Sequence, residues 1–286
     1  MLSMCGDMIG KTCIITGATG GIGLETAKQL GALGARLVLV GRNRDKGKAA
    51  IARLRADVPD VAVEMHYADL SRPDEILRLA DALLESAARI DVLVNNAGAI
   101  FARREIAPDG LELTFALNHM SYFRLTALLW ERLMASAPAR VVNVASEAHR
   151  GSRLDFEDLQ CSGHYSGWRA YRRSKLANIL FTRELARRLE RTGVTANCLH
   201  PGFVATGFGD NNHGPWRLGI AISKLIAAIP VQRGAETPFY LASSPDPDGV
   251  SGKYFSRCRE WQPDAQAQDD RAAARLWSES ERLTDF

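Results

Sequence analysis

Short apolar runs recur along this chain, and each is followed by a longer stretch of helical periodicity. The runs are Lys11–Thr16, Arg36–Val40, Val61–Tyr67, Ile90–Val94, Ala139–Ala145, Val194–Leu199 and Gly252–Phe255. Their β-branched and leucine-rich make-up predicts strands. Between them, apolar residues spaced along one helix face predict helices over Leu24–Leu33, Asp45–Ala56, Ser71–Ala88, Glu112–Ser136, Trp168–Arg191 (capped by Gly193) and Gln232–Ser243. The tail around Asp270 and Trp277 predicts a peripheral helix. Repeated strand–helix alternation implies an α/β fold, a doubly wound parallel sheet of Rossmann type with about seven strands and helices on both faces. With no internal repeat and no domain-sized linker, residues 1–286 read as one domain.

The loops after the strands carry the candidate chemistry. The first strand runs straight into Gly17-Ala-Thr19-Gly-Gly21-Ile22-Gly23, then a helix. In that context Gly17 permits a tight turn, Gly21 lets backbone approach a pyrophosphate, and Gly23 lets the helix pack closely. Free N–H groups at the helix start then face the phosphates. The second strand ends in Gly41-Arg42, where an acidic residue would bind the ribose hydroxyls and repel a 2′-phosphate. Arg42 instead offers a planar fork to that phosphate, which favours NADP(H) over NAD(H).

Asp69, with Leu70 after it, ends the third strand, either accepting from an adenine amino group or capping the next helix. Asn95 is expected to brace a neighbouring strand, and the small Asn96-Ala97-Gly98 to let cofactor lie against backbone. Asn118 sits inside a helical pattern, so it either marks a kink or has a polar partner. Ser146 follows the fifth strand without a Gly-x-Ser-x-Gly frame, and reads as a hydrogen-bonding serine rather than a nucleophile. Pro201, Gly202, Val204 and Thr206 follow the sixth strand, with Thr206 placed for the nicotinamide carboxamide or pyrophosphate. Residues 207–230 are apolar and glycine-containing, and read as a lid over a lipophilic substrate, a packing or dimer helix, or a membrane-surface contact.

Composition narrows the field. A formal net charge of +3 gives no electrostatic case for nucleic acid. Arg183, Arg187, Arg188 and Arg191 alternate with Glu184 and Glu190 as a solvated helix face does. The five cysteines are scattered, without a Cys-x-x-Cys pair, which implies no metal site and a reducing, cytoplasmic location. No run is long enough to span a membrane, and Met1–Met8 is not expected to be a signal peptide.

Tyr171 and Lys175, four apart, lie on one helix face, where an ammonium would lower the tyrosine pKa and ready it for proton transfer. Taken together, Thr16-Gly17-x-x-x-Gly21-Ile-Gly23, Asp69, Asn95-Asn-Ala-Gly98, Asn118, Ser146, Tyr171-x-x-x-Lys175 and Pro201-Gly202 resemble the short-chain dehydrogenase/reductase superfamily. Val142–His149, Leu154–Leu159 and Asn178–Leu189 resemble its retinol dehydrogenase-like branch. The resemblance implies hydride transfer between NADP(H) and a lipophilic aldehyde, ketone or alcohol. It assigns Tyr171 as general acid or base, Ser146 as holder of the substrate oxygen, and Lys175 as ribose ligand. Asn118 would hold a water that relays protons to Lys175. It also implies pairing of helices 112–136 and 168–191 in a homodimer or homotetramer. The branch's animal members often carry a membrane anchor, which Met1–Met8 does not resemble, so retinol itself is not the expected substrate. The competing reading is a non-catalytic NADPH sensor or scaffold, which would be expected to lack the tyrosine or lysine.

Overall fold

A computed structural model describes residues 6–204, 209 and 229–284. The strands are β1 (Thr12–Thr16), β2 (Arg36–Gly41), β3 (Val63–Tyr67), β4 (Val92–Asn95), β5 (Ala139–Val144), β6 (Val194–Leu199), β7 (Tyr254–Ser256) and β8 (Arg259–Glu260). They form one sheet in the order β3-β2-β1-β4-β5-β6-β7-β8. The strands from β3 to β7 pair parallel, and β8 turns back antiparallel on β7. Among the described residues the sheet therefore has eight strands, one beyond the seven runs expected. The extra strand hangs on a turn in which Arg257 and Cys258 both take positive φ, a conformation that their side chains do not announce.

Helices α1 (Gly21–Ala32), α2 (Arg44–Asp57) and α8 (Val231–Ser243) cover one face, and α3 (Pro73–Ser86), α5 (Ser121–Leu128), α7 (Gly167–Arg188) and α9 (Asp270–Arg282) the other. Successive strand residues serve opposite cores: Ile14 and Val38 pack with the second group, Ile15 and Leu39 with the first. The expected long helix over 112–136 is instead broken into α4 (Leu113–Phe115), a π-helical turn (Ala116–Met120), α5 and α6 (Trp130–Ala135). The π turn contains Asn118, whose side chain bonds outside the helix. α7 stops at Arg188, and Gly193 (φ 80°) lies in the turn beyond rather than capping it.

The tail helix α9 is not peripheral. Leu276 is fully buried and Trp277 is 8% exposed. The Trp277 indole stacks on Phe181 (5.8 Å) and meets Phe123 edge-on (5.0 Å), with the Arg188 guanidinium 4.3 Å from its ring centre. The arginines on α7 are thus only partly a solvated face: Arg187 and Arg188 pair with Glu184, which is 3% exposed, and Arg183 with Asp270 of α9. His119 of the π turn bonds Ser280 of α9 at 2.9 Å, and burial lowers its pKa to about 3, so it is neutral at any physiological pH. α9 therefore occupies part of the α5–α7 face on which pairing between subunits was expected. The expected lid over 207–230 lies outside the described residues, apart from Gly209, Ile229 and Pro230. Among the described residues, no helix is long and apolar enough to cross a membrane.

Replacing Trp277 by Ala should cost about 3–5 kcal/mol, the range for deleting a buried aromatic. Urea denaturation of the two proteins checks it, and a loss below about 1 kcal/mol would show that α9 is peripheral after all.

Candidate active site

At the C-terminal edge of the sheet, among the described residues, lies a cleft of about 440 Å³. Its lining includes Gly17, Thr19, Gly21, Ile22, Asn96, Ala97, Gly98, Ser146, Tyr171, Lys175, Pro201, Gly202 and Val204. These come from the ends of β1, β4, β5 and β6 and from α7, where an open parallel sheet places ligands. Gly23, Arg42, Asp69, Leu70 and Asn118 do not line it. Thr206 lies outside the described residues.

The glycine turn has the geometry its sequence implied. Gly17 (φ 66°) and Gly21 (φ 55°) take left-handed conformations. A Cβ on Gly23 would come within 2.6 Å of the Gly17 carbonyl and 2.7 Å of Asn96 Nδ2, so Gly23 serves the approach of α1 to its own turn. Asn96 Nδ2 donates to the carbonyl of Thr16 (2.8 Å), tying β4 to this turn. Asn95 donates to Asn143 (2.9 Å) and Thr126 (3.1 Å), and so braces β5 as expected. The start of α1 is capped by Gly20, which has no side chain to offer, and a Cβ there would meet open space. Its first-turn N–H groups therefore face the cleft uncapped, a cradle that fits a dinucleotide pyrophosphate.

Beside the turn, a Cβ on Gly41 would collide with the methyl of Thr19 and come within 2.9 Å of the Met65 methyl, so any side chain there requires both to shift. Arg42 is 70% exposed and reaches Asp69 at 3.3 Å. Asp69 neither caps α3 nor is open to an adenine alone: its Oδ1 accepts from the N–H (3.0 Å) and hydroxyl (2.7 Å) of Ser71. Those bonds and Arg42 hold its carboxyl below the usual range despite burial. Leu70 is buried in the core beneath the cleft.

At the other end, Lys175 (4% exposed) donates to the carbonyl of Val144 at 3.0 Å. Asn118, fully buried, donates to Ala99 O and Ser174 Oγ and accepts from Ala99 N–H, all at 2.9 Å. Both its amide hydrogens are thereby committed to protein, and it pins the loop after β4 to α7. Ser174 Oγ–H donates to the Tyr171 carbonyl (2.8 Å). Ser146 Oγ accepts from Ala148 N–H (3.2 Å) and is hydrogen-bonded to the Tyr171 phenol.

The electrostatics run opposite to the expectation for Tyr171. Burial raises its pKa to about 12, with only the Ser146 bond acting against it. Burial also lowers Lys175 to about 7, so the amine is half-neutral near physiological pH and a weak source of field. Its Nζ lies 5.8 Å from the phenol ring centre. The pair is therefore a firmly protonated phenol beside an easily deprotonated amine.

Sequence reasoning missed Lys46, Trp168 and Phe203, which also line the cleft. Trp168 (48% exposed) stacks against Tyr171 at 5.9 Å, and Phe203 is 44% exposed. Trp168, one turn before Tyr171 on the same helix, was the legible signal; Lys46 carried none, because its approach depends on how α2 leaves β2.

The model of the short chain dehydrogenase family matches residues 11–214. Retinol dehydrogenase 14 of Mus musculus is 41% identical over 289 residues, covering 96% of this chain and 86% of that protein. Retinol dehydrogenase 12 of Homo sapiens is 40% identical over 271 residues, covering 95% and 85%. An uncharacterised protein from Mycobacterium paratuberculosis superposes with a TM-score of 0.79 at 33% identity, over 99% of this chain and 96% of that one. The Pseudomonas aeruginosa RhlG/NADP active-site complex does so with a TM-score of 0.69 at 29% identity, over 87% and 95%.

Gly23→Ala should destabilise the fold by about 1–3 kcal/mol, because the atoms a methyl would meet are a backbone carbonyl and a committed amide. A drop of several degrees in thermal midpoint is expected; an unchanged midpoint would show that the turn can move aside.

Proposed function

This chain belongs to the short-chain dehydrogenase family of oxidoreductases, and from that membership we propose that it interconverts lipophilic carbonyls and alcohols with NADP(H). The observation that carries this reading is convergence: Tyr171, Ser146 and Lys175 meet at one end of a cleft whose other end is an uncapped glycine cradle. The nicotinamide, when bound, supplies or accepts the hydride. The protein's task is then to hold the carbonyl and manage one proton. Tyr171, kept protonated by burial, donates to the carbonyl oxygen in reduction, and in oxidation takes the alcohol proton as it yields its own to neutral Lys175. Ser146 Oγ, already bonded to that phenol, supports the same oxygen where charge develops. Lys175, poised at about 7, binds the ribose hydroxyls and exchanges the proton that Tyr171 gives up. Asn118 and Ser174 hold Tyr171 and Lys175 in register through the bonds that join the π turn to α7. With both Asn118 amide hydrogens committed and Oδ1 already accepting from Ala99 N–H, a relaying water would rest on its one remaining oxygen lone pair.

NADP(H) is favoured over NAD(H) by what surrounds the β2 end. Gly41 places no acid there, Arg42 is exposed, and Lys46 reaches the cleft. Arg42 is already oriented by Asp69, and a 2′-phosphate could share its fork. Two of the similar structures are complexes with NADP or NADPH. A lipophilic substrate is supported by Trp168 and Phe203, exposed aromatic groups on the wall that carries Tyr171 and Pro201–Gly202, and by the names of the retinol dehydrogenase relatives. We extend the reading to a single domain over 1–286, since one sheet takes strands from both ends of the chain.

Tyr171→Phe should reduce turnover of lipophilic aldehydes by at least about a thousandfold, with NADPH affinity changed by less than about threefold. Steady-state assays with fluorescence titration of NADPH test both halves, and substantial residual turnover would sink Tyr171 as the acid. Arg42→Asp should raise the KM for NADPH by at least about tenfold while leaving that for NADH within about twofold. Equal effects on the two cofactors would remove the 2′-phosphate assignment.

A further inference from the structure

A second polar cluster joins the ends of β5, β6 and β7 next to the reaction site. Glu147 directly follows Ser146, and His200 directly precedes Pro201–Gly202. His200 Nδ1 lies 2.7 Å from Tyr254 Oη and 3.2 Å from Glu147 Oε2, and its Nε2 lies 3.0 Å from Ser256 Oγ. Tyr254 Oη is also 3.4 Å from Glu147 Oε2. The imidazole stacks on the Tyr254 ring at 5.4 Å, and His149 meets the same ring edge-on at 5.1 Å. Tyr254 is 2% exposed and the His200 side chain 12%.

His149 has one consistent tautomer. Its Nε2 accepts from Asp264 N–H at 3.1 Å, so Nδ1 carries the proton and donates to the Ser146 carbonyl at 2.7 Å. Ser146 is thus held through its own carbonyl on one side and through its neighbour Glu147 on the other.

We propose that His200 is a positioning residue for the oxidoreductase reaction, which in its neutral form sets the spacing between Ser146 and the Pro201–Gly202 wall. In that form Tyr254 O–H donates to Nδ1, and Nε2–H donates to Ser256 Oγ, so both ring nitrogens are used. A second proton on the ring, taken from solvent, makes Nδ1 a donor. Tyr254 then cannot donate to it, and the nearest acceptor is Glu147. The hydroxyl of Tyr254 turns to the same carboxylate. Glu147 is drawn toward β6, and Ser146, one bond along the chain, moves with it relative to Tyr171. The groups that bear on His200 are Glu147, which favours the proton, and His149, Arg150 and Arg257, which oppose it. Burial opposes it most, and the His200 pKa falls below its ordinary 6.5. The working form therefore persists through neutral pH and is lost as pH falls through that lowered value.

The proposal rests on the reductase reading above, and its test separates the two. In the full chain, kcat/KM for decanal at saturating NADPH should fall at least about tenfold from about pH 7.5 to the foot of an acid limb whose midpoint lies below 6.5. Saturation removes the titration of the free cofactor's phosphate from this profile. In His200→Gln, whose amide can accept from Tyr254 and donate to Ser256 without titrating, the Lys175 titration remains and the fall should be at least about threefold smaller than the parent's. Glu147→Gln, at an exposed position, removes the carboxylate that favours the imidazolium and should move the acid limb to lower pH. Acid limbs in both variants that superimpose on the parent's would overturn the proposal. A second readout needs no turnover. Pro201–Gly202 line the cofactor cleft, so the ratio of parent to His200→Gln NADPH dissociation constants should change at least about fivefold over the same pH range. A constant ratio would likewise overturn it. Absence of decanal and other carbonyl turnover with that ratio changing would count against the reductase reading alone.

Discussion

The amine of Lys175, buried and bonded to the Val144 carbonyl, is the constraint on which the site depends. An amine this deep must find acceptors or lose its charge, and burial brings it to about 7. Reaching Val144 O requires α7 to lie close over the C-terminal end of β5. That carbonyl also receives Asn178 Nδ2 and Tyr122 Oη at 3.4 Å, so α5 and α7 converge on one atom. With α7 seated there, Tyr171 falls beside Ser146, and Ser174 falls within reach of Asn118. The π turn accompanies that meeting: Asn118 lies in the widened helix, and its side chain bonds Ala99 and Ser174.

Burial also decides which partner in the pair holds the proton. Four-residue spacing suggests a charged lysine acting on a phenol, but desolvation acts on both groups and in opposite senses: the phenol resists ionisation while the amine loses its proton readily. A carbonyl entering the cleft thus meets a neutral donor, and the lysine beside it can give or take a proton near pH 7. Ser146, bonded to the phenol, pulls the phenol's pKa back down.

The chain's last quarter contributes more to the site than its weak patterning suggests. Ser280 on α9 holds the buried ring of His119, next to Asn118, and Trp277 packs that helix against α5 and α7. Tyr254 and Ser256 from β7 hold His200 against Glu147 and so flank Ser146 and Pro201. The walls of the cleft are in this way fixed by residues that never touch it.

What the amino-acid order determined by itself was local: strand runs, the positive-φ glycines, the turn after β1, and the four-residue spacing of Tyr171 and Lys175. Each of these depends on backbone sterics or on periodicity within one element, and each was legible for that reason. Asn118 was legible as an anomaly, an asparagine in a helix, but not as the clamp between two loops. Only the tertiary structure decided the pKa of Tyr171, the burial of α9, the double pairing of Asp69 and the antiparallel β8. Those are set by desolvation and by partners dozens of residues away, and a pattern within one element carries neither.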